Sequence, residues 1–76
     1  MKTSPLNRLG QRIRTRRKSL NLTQEELADR AGIDRSYIGG VERGERNVTF
    51  SVLCKIASAL DSDVAGITKD IPERLW

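Results

Sequence analysis

The sequence contains no histidine and a single cysteine, Cys54. Without histidine, Ser-His-Asp and Cys-His catalysis are excluded. With one thiol, neither an internal disulfide nor a zinc site of four cysteines, or of paired cysteines and histidines, can be assembled. Cys54 reads instead as a small apolar residue beside a buried stripe. Aromatic residues are reduced to Tyr37, Phe50 and Trp76, and prolines to Pro5 and Pro72. No segment alternates with period two for long enough to suggest a strand. No apolar run approaches the roughly 20 residues of a membrane-spanning helix, and no signal-peptide pattern occurs. No acid–base pair, nucleophile–base pair or metal cluster is visible, so no metal, no cofactor and no enzymatic activity are expected. What remains is a domain for a reducing compartment that binds something.

The chain has 76 residues and a net charge of +4. A chain this short holds one domain, with a core over about residues 6–67 and a tail over 68–76. It buries only roughly 60% of its unfolded surface, so every stabilising contact matters. The charge is uneven. Residues 1–24 carry seven bases and no acid, whereas residues 25–76 carry seven bases and ten acids. A strongly basic end on a mildly acidic body suggests a polyanionic partner, or else a solvated helix face.

The periodicity is helical almost throughout. Ser4-Pro5 opens a first helix, with Ser4 as N-cap and Pro5 at the first helical position. Leu6, Leu9, Ile13, Arg17 and Leu20 recur at spacings of three and four, and Asn21 stops the helix. Thr23 and Glu26 form a capping box for a second helix with Leu27, Ala28 and Ala31 inward, ended by a left-handed Gly32. Asp34 caps a third helix that runs to Glu42 or Arg43 and ends at Gly44. Thr49 caps a fourth with Phe50, Leu53, Ile56, Ala57 and Leu60 inward. Asp63 caps a short fifth through Ile67 or Thr68, and Pro72 limits any continuation. The fold class is all-α: five short helices, with a turn of about three residues joining helices 2 and 3 at a steep angle, as in a helix-turn-helix.

The stretch Gln24, Leu27, Ala28, Ala31, Gly32, Ile33, Ile38 and Val41 resembles the helix-turn-helix of the lambda-repressor and Cro-like (XRE-type) DNA-binding domains. The apolar fourth helix, Leu53 to Leu60, is similar to that of the same family, so the resemblance spans roughly Leu6 to Ile67. Within the family, residues 34–49 look most like the controller proteins of restriction–modification systems. The resemblance implies a compact five-helix DNA-binding domain. It also implies a homodimer that reads an inverted repeat in the major groove of double-stranded DNA and regulates transcription. RNA polymerase would be a further partner, and the cytoplasm, with the nucleoid, the location.

On this resemblance Arg35, Ser36 and Tyr37 are the candidate base contacts. Arg35 stands in the first turn of helix 3, where the helix dipole disfavours a cation by about 0.3–1 kcal/mol. Its guanidinium suits guanine O6 and N7, unless it is simply bonded to a nearby acid. Ser36 either reads a base weakly or makes a local backbone bond. Tyr37 either packs on a sugar and bonds a phosphate or is partly buried. Gly39-Gly40 is unusual, since each glycine costs about 1 kcal/mol inside a helix relative to alanine. Spacing puts Gly40 on the outward face with Ser36 and Arg43, where it would allow close backbone approach. Family position makes Gln24 both a phosphate contact at the start of helix 2 and a brace for the recognition helix. It makes Arg46 and Asn47 backbone contacts, with Arg43 a further candidate.

Arg17 falls on the apolar stripe and needs an acid. Family pairing points to a structural Arg17–Glu42 bridge rather than a DNA contact. Arg12, Arg14, Arg16 and Lys18 divide between phosphates and solvent. Ile67, Ile71, Leu75 and Trp76 are more apolar surface than a short terminal segment hides, and the family dimerises near helix 5, which places Ile67 and Ile71 at a two-fold interface. The competing readings are a phage or chromosomal repressor of the same type, an antitoxin-like protein-interaction module, and a basic amphipathic helix for membranes, whose apolar face Arg17 interrupts.

Overall fold

The computed structural model describes residues 4–72. Five helices follow one another: α1 (Pro5–Ser19), α2 (Gln24–Ala31), α3 (Arg35–Glu42), α4 (Phe50–Ala59) and α5 (Val64–Thr68), with no strand among the described residues. Every helix starts on a side-chain oxygen that accepts a first-turn N–H, a contact worth about 1 kcal/mol each. Ser4 accepts from Asn7, Thr23 from Glu26, Asp34 from Ser36, Thr49 from Val52 and Asp63 from Gly66, at 2.7–3.2 Å. The Glu26 carboxylate accepts the Thr23 N–H at 2.8 Å in return, which completes the capping box. α2 ends in the left-handed Gly32 (φ 68°), as its sequence predicts. After α1 and α4 the chain takes the same conformation at Asn21 and Asp61, two residue types that tolerate it.

α1 packs on α3 and α5, and α2 packs on α3 and α4. Between them lie Ile13, Leu27, Ile38, Ile56, Leu60 and Ile67, each with 2% or less of its surface exposed. Ala28 is buried as well, so α3 can cross close to α2. Phe50 departs from expectation: it is 70% exposed. It occupies the first position of α4, one turn before Leu53, which is itself only partly buried, so the inward stripe runs past the core before it reaches Phe50.

A close approach of two helices occurs at a residue that periodicity alone does not mark. A Cβ on Gly10 would lie 2.5 Å from the carbonyl oxygens of both Val41 and Glu42, so the α1 backbone rests directly on the last turn of α3. Gly44 makes a similar seat for Asn7 of α1, and its φ of 77° also favours glycine.

Three of the arginines on α1 face inward along its length rather than outward. Arg16 donates to the carbonyls of Leu60 and Asp61 at 2.9 and 3.1 Å, at the end of α4. Arg12 donates to Lys69 and Gly66 at 2.9 and 3.4 Å, and Arg8 to Asp70 at 3.2 Å, around the end of α5. Spacing of four puts them on one face, and each meets carbonyls that a helix C-terminus leaves unsatisfied. Arg12 and Arg16 are therefore corrected from phosphate-facing or solvated residues to fasteners between α1 and the C-terminal helices. Arg14 and Lys18 are exposed.

Gly10→Ala is expected to lower stability by about 1–3 kcal/mol, because the added methyl meets backbone that cannot move aside. Alanine is the better helix former, so the loss of stability in a urea titration would run against helix propensity.

Candidate nucleic-acid interface

The orientation of α3 is set by a buried polar network. Arg17 of α1 donates to both carboxylate oxygens of Glu42, Nε to Oε2 at 2.7 Å and Nη2 to Oε1 at 3.0 Å. Its remaining Nη1 donates to the Leu22 carbonyl at 2.8 Å. Gln24, the first residue of α2, donates from Nε2 to the same Glu42 Oε1 at 3.1 Å. Arg17 and Glu42 are each only 8% exposed. The hydrogen bonds to Glu42 raise the Arg17 pKa above its already high ordinary value, so the guanidinium is charged at every accessible pH. The expected bridge is present, and so is the bracing half of the role assigned to Gln24.

With α3 held in this way, its first turn and the start of α2 enclose an open cleft of about 430 Å³ lined by Gln24, Asp34, Arg35, Ser36, Gly39 and Arg43. Arg35 is about two-thirds exposed and sits 3.9 Å from Glu25. A pair this loose and this wet contributes little and releases its arginine easily. Ser36 donates its hydroxyl hydrogen to the Asp34 carboxylate, which also accepts the Ser36 N–H, so the serine oxygen is left as an acceptor for any further partner. Those two bonds hold the Asp34 carboxyl below its ordinary pKa. Glu26 is lowered in the same way by the N–H and then the hydroxyl of Thr23.

A second cluster adjoins the first. Tyr37 is half-buried against the core, and the Arg46 guanidinium lies 5.5 Å from its ring centroid, within cation–π range. Arg43 pairs with Glu45 at 3.2 Å, both side chains being well exposed. Asn47 is exposed in the loop that follows. Gly40 does not lie open on the outer face as spacing suggests. It is buried beneath Arg46, because the Glu45 N–H bonds the Gly40 carbonyl at 2.9 Å and folds the loop back over the helix.

The proposed interface residue Ile67 is also corrected. It is 2% exposed in the single chain and fills the core between α1 and α4, so it offers no side-chain surface to a second copy. Ile71 is partly buried against the same core. Leu75 and Trp76 lie outside the described residues. The sequence reading missed the Gly10 seat and the inward set of Arg8, Arg12 and Arg16. A glycine inside an otherwise strong amphipathic helix and the regular spacing of four were the signals for them. Among the described residues, no cluster of side chains suits a metal ion, and no helix is long and apolar enough to cross a membrane.

Arg17→Met strands a buried carboxylate and is expected to cost about 3–5 kcal/mol, whereas Arg17→Met combined with Glu42→Leu recovers most of that loss. Chemical denaturation of the single and double variants measures both. The pH dependence follows from the two lowered carboxyls. A carboxyl whose folded pKa is depressed contributes stability that is present above its unfolded value, 3.8 for Asp34 and 4.5 for Glu26, and lost as pH falls through the folded value. The melting temperature should therefore fall on acidification from pH 5 toward pH 2. Asp34→Asn with Glu26→Gln, which preserves both caps in neutral form, should make that fall shallower.

Comparison with known proteins agrees with this geometry. Residues 13–67 match the helix-turn-helix family model. Control protein C.SmaI of Serratia marcescens is 50% identical over 56 residues, covering 74% of this chain and 67% of that protein. The restriction–modification controller protein C.AhdI from Aeromonas hydrophila superposes with a TM-score of 0.80 at 48% identity, over 82% of this chain and 94% of that chain. The controller protein C.Esp1396I, solved as a tetramer in complex with its natural 35 base-pair operator, superposes with a TM-score of 0.79 at 32% identity, over 87% of each chain. With the family match extending over most of its length, the chain belongs to the helix-turn-helix family, and its relatives there include restriction–modification controller proteins.

Proposed function

We propose that this chain is a sequence-specific, DNA-binding regulator of transcription that acts as the controller protein of a restriction–modification system. The observation that carries the reading is the placement of Arg35 and Ser36. Both are exposed at the start of a helix whose other end is locked by the buried Arg17–Glu42–Gln24 network. A helix held this rigidly presents its first turn to a major groove in one orientation. Arg35, leaving Glu25, pairs with guanine, and Ser36 and Tyr37 reach adjoining positions. Gln24, Arg43, Arg46 and Asn47 surround that turn and meet the phosphates, which position the protein without reading sequence. The operator complex of the relative C.Esp1396I supports the same use of this fold.

Two copies bind an inverted repeat, with a contact beside α5 that includes Ile71. Bound next to a promoter in the bacterial nucleoid, such a dimer either blocks RNA polymerase or meets it. The function is regulatory and not catalytic.

Selection from random duplex DNA tests the reading. The wild-type chain should recover an inverted repeat with half-sites about ten base pairs apart, and Arg35→Ala should lose preference at one base position in each half-site. Enrichment of no sequence at moderate salt would overturn the proposal.

A further inference from the structure

Gly39 and Gly40 are both in α3 with ordinary helical backbone, neither among the residues with positive φ. Conformation therefore does not explain why two poor helix formers stand together there. Their missing side chains leave room for two arginines. A Cβ on Gly40 would lie 3.0 Å from Arg46 Cγ, 3.2 Å from its Nε and 3.6 Å from its Cδ. A Cβ on Gly39 would lie 3.1 Å from Arg43 Nη1. Both neighbours are arginine side chains laid along the helix backbone.

The Arg46 seat has three sides. Gly40 supports the stem, Tyr37 faces the guanidinium at 5.5 Å, and the Glu45 N–H to Gly40 carbonyl bond at 2.9 Å holds the loop down. An arginine on an exposed loop ordinarily gives up rotamer freedom when it binds a phosphate. Here part of that ordering is built into the free protein.

We propose that Gly40 is a positioning residue: it seats Arg46 against α3, so that the guanidinium is delivered already oriented to the face that carries Arg35. Gly39 does the same for Arg43. The inference rests on the DNA-binding reading above and adds to it the reason for the glycine pair.

The test is a double-mutant cycle on the full chain, using the duplex recovered by selection and fluorescence anisotropy as readout. Gly40→Ala and Gly40→Leu are expected to fold with at least wild-type stability, since both residues are better helix formers and the atoms they meet belong to a movable side chain. Gly40→Ala has the smaller footprint and keeps the test open if leucine disturbs the helix. Arg46→Ala should weaken binding roughly ten-fold and lower the salt-dependence slope by about 0.9, as expected when one phosphate contact is lost. Gly40→Leu should approach the same loss, and Gly40→Ala should show part of it. In the Arg46→Ala background neither glycine substitution should weaken binding further. In the free protein, the upfield ring-current shift of the Arg46 Nε–H proton over Tyr37 should disappear in Gly40→Leu.

Equal loss from Gly40→Leu with and without Arg46 would overturn the inference, because the new side chain would then be obstructing DNA directly. Wild-type or tighter binding by the Gly40 variants would overturn it too. A wild-type chain that retains no duplex overturns this inference together with the DNA-binding reading, whereas intact selection with additive variants overturns this inference alone.

Discussion

The buried ion pair between Arg17 and Glu42 is the constraint on which the rest of the structure depends. Glu42 ends α3, where the helix dipole disfavours a carboxylate, and it is almost fully withdrawn from water. Arg17 offsets both costs by meeting the carboxylate with two parallel N–H bonds. An apolar pair of similar size would fill the same space, but it would not specify direction. The planar two-point contact fixes how α3 is rotated about its own axis. Gln24 extends that specification to α2, and the Leu22 carbonyl extends it to the loop before α2. The first turn of α3 is thus aimed from its far end, about two helical turns away.

The opposite side of the molecule is held by the same means. A chain of this size has few large apolar residues, and of the two aromatics among the described residues Phe50 is exposed and Tyr37 is half-buried. Polar fasteners supplement the core. Arg8, Arg12 and Arg16 on α1, and Arg30 on α2, all donate to carbonyls around the ends of α4 and α5. Each satisfies acceptors that a short helix would otherwise leave to solvent, and each places a positive charge at the negative end of a dipole.

These two uses of arginine explain what could and could not be read in advance. The helix starts were legible because capping is local: Ser4, Thr23, Asp34, Thr49 and Asp63 each act within three residues of themselves. The helix-turn-helix was legible from its short turn and its resemblance to a known family, and the Arg17–Glu42 pair because a cation on an apolar stripe demands an acid and that family pairs these two positions. The fates of Arg12 and Arg16 were not, since a basic run reads alike whether it faces phosphate or carbonyl. Gly10 and Gly40 were hidden for a related reason. The atoms that lie against them, Glu42 O and Arg46 Cγ, are brought alongside only by packing and by a loop folding back. Ile67 was misread because the sequence shows that a residue is apolar, and not whether its own chain already covers it.

The fasteners on α1 also bear on which substitutions count as conservative. Arg12 and Arg16 each bridge two carbonyls with different nitrogens of one rigid, planar group. Lysine carries the same charge on a single rotating ammonium and cannot reproduce that two-point span. A homologue with lysines at these positions would keep its net charge, its basic N-terminal segment and its long-range attraction to polyanions. It would lose the clasp between α1 and the two C-terminal helices, so charge and architecture, carried here by the same side chains, can diverge without any change in sequence-level electrostatics.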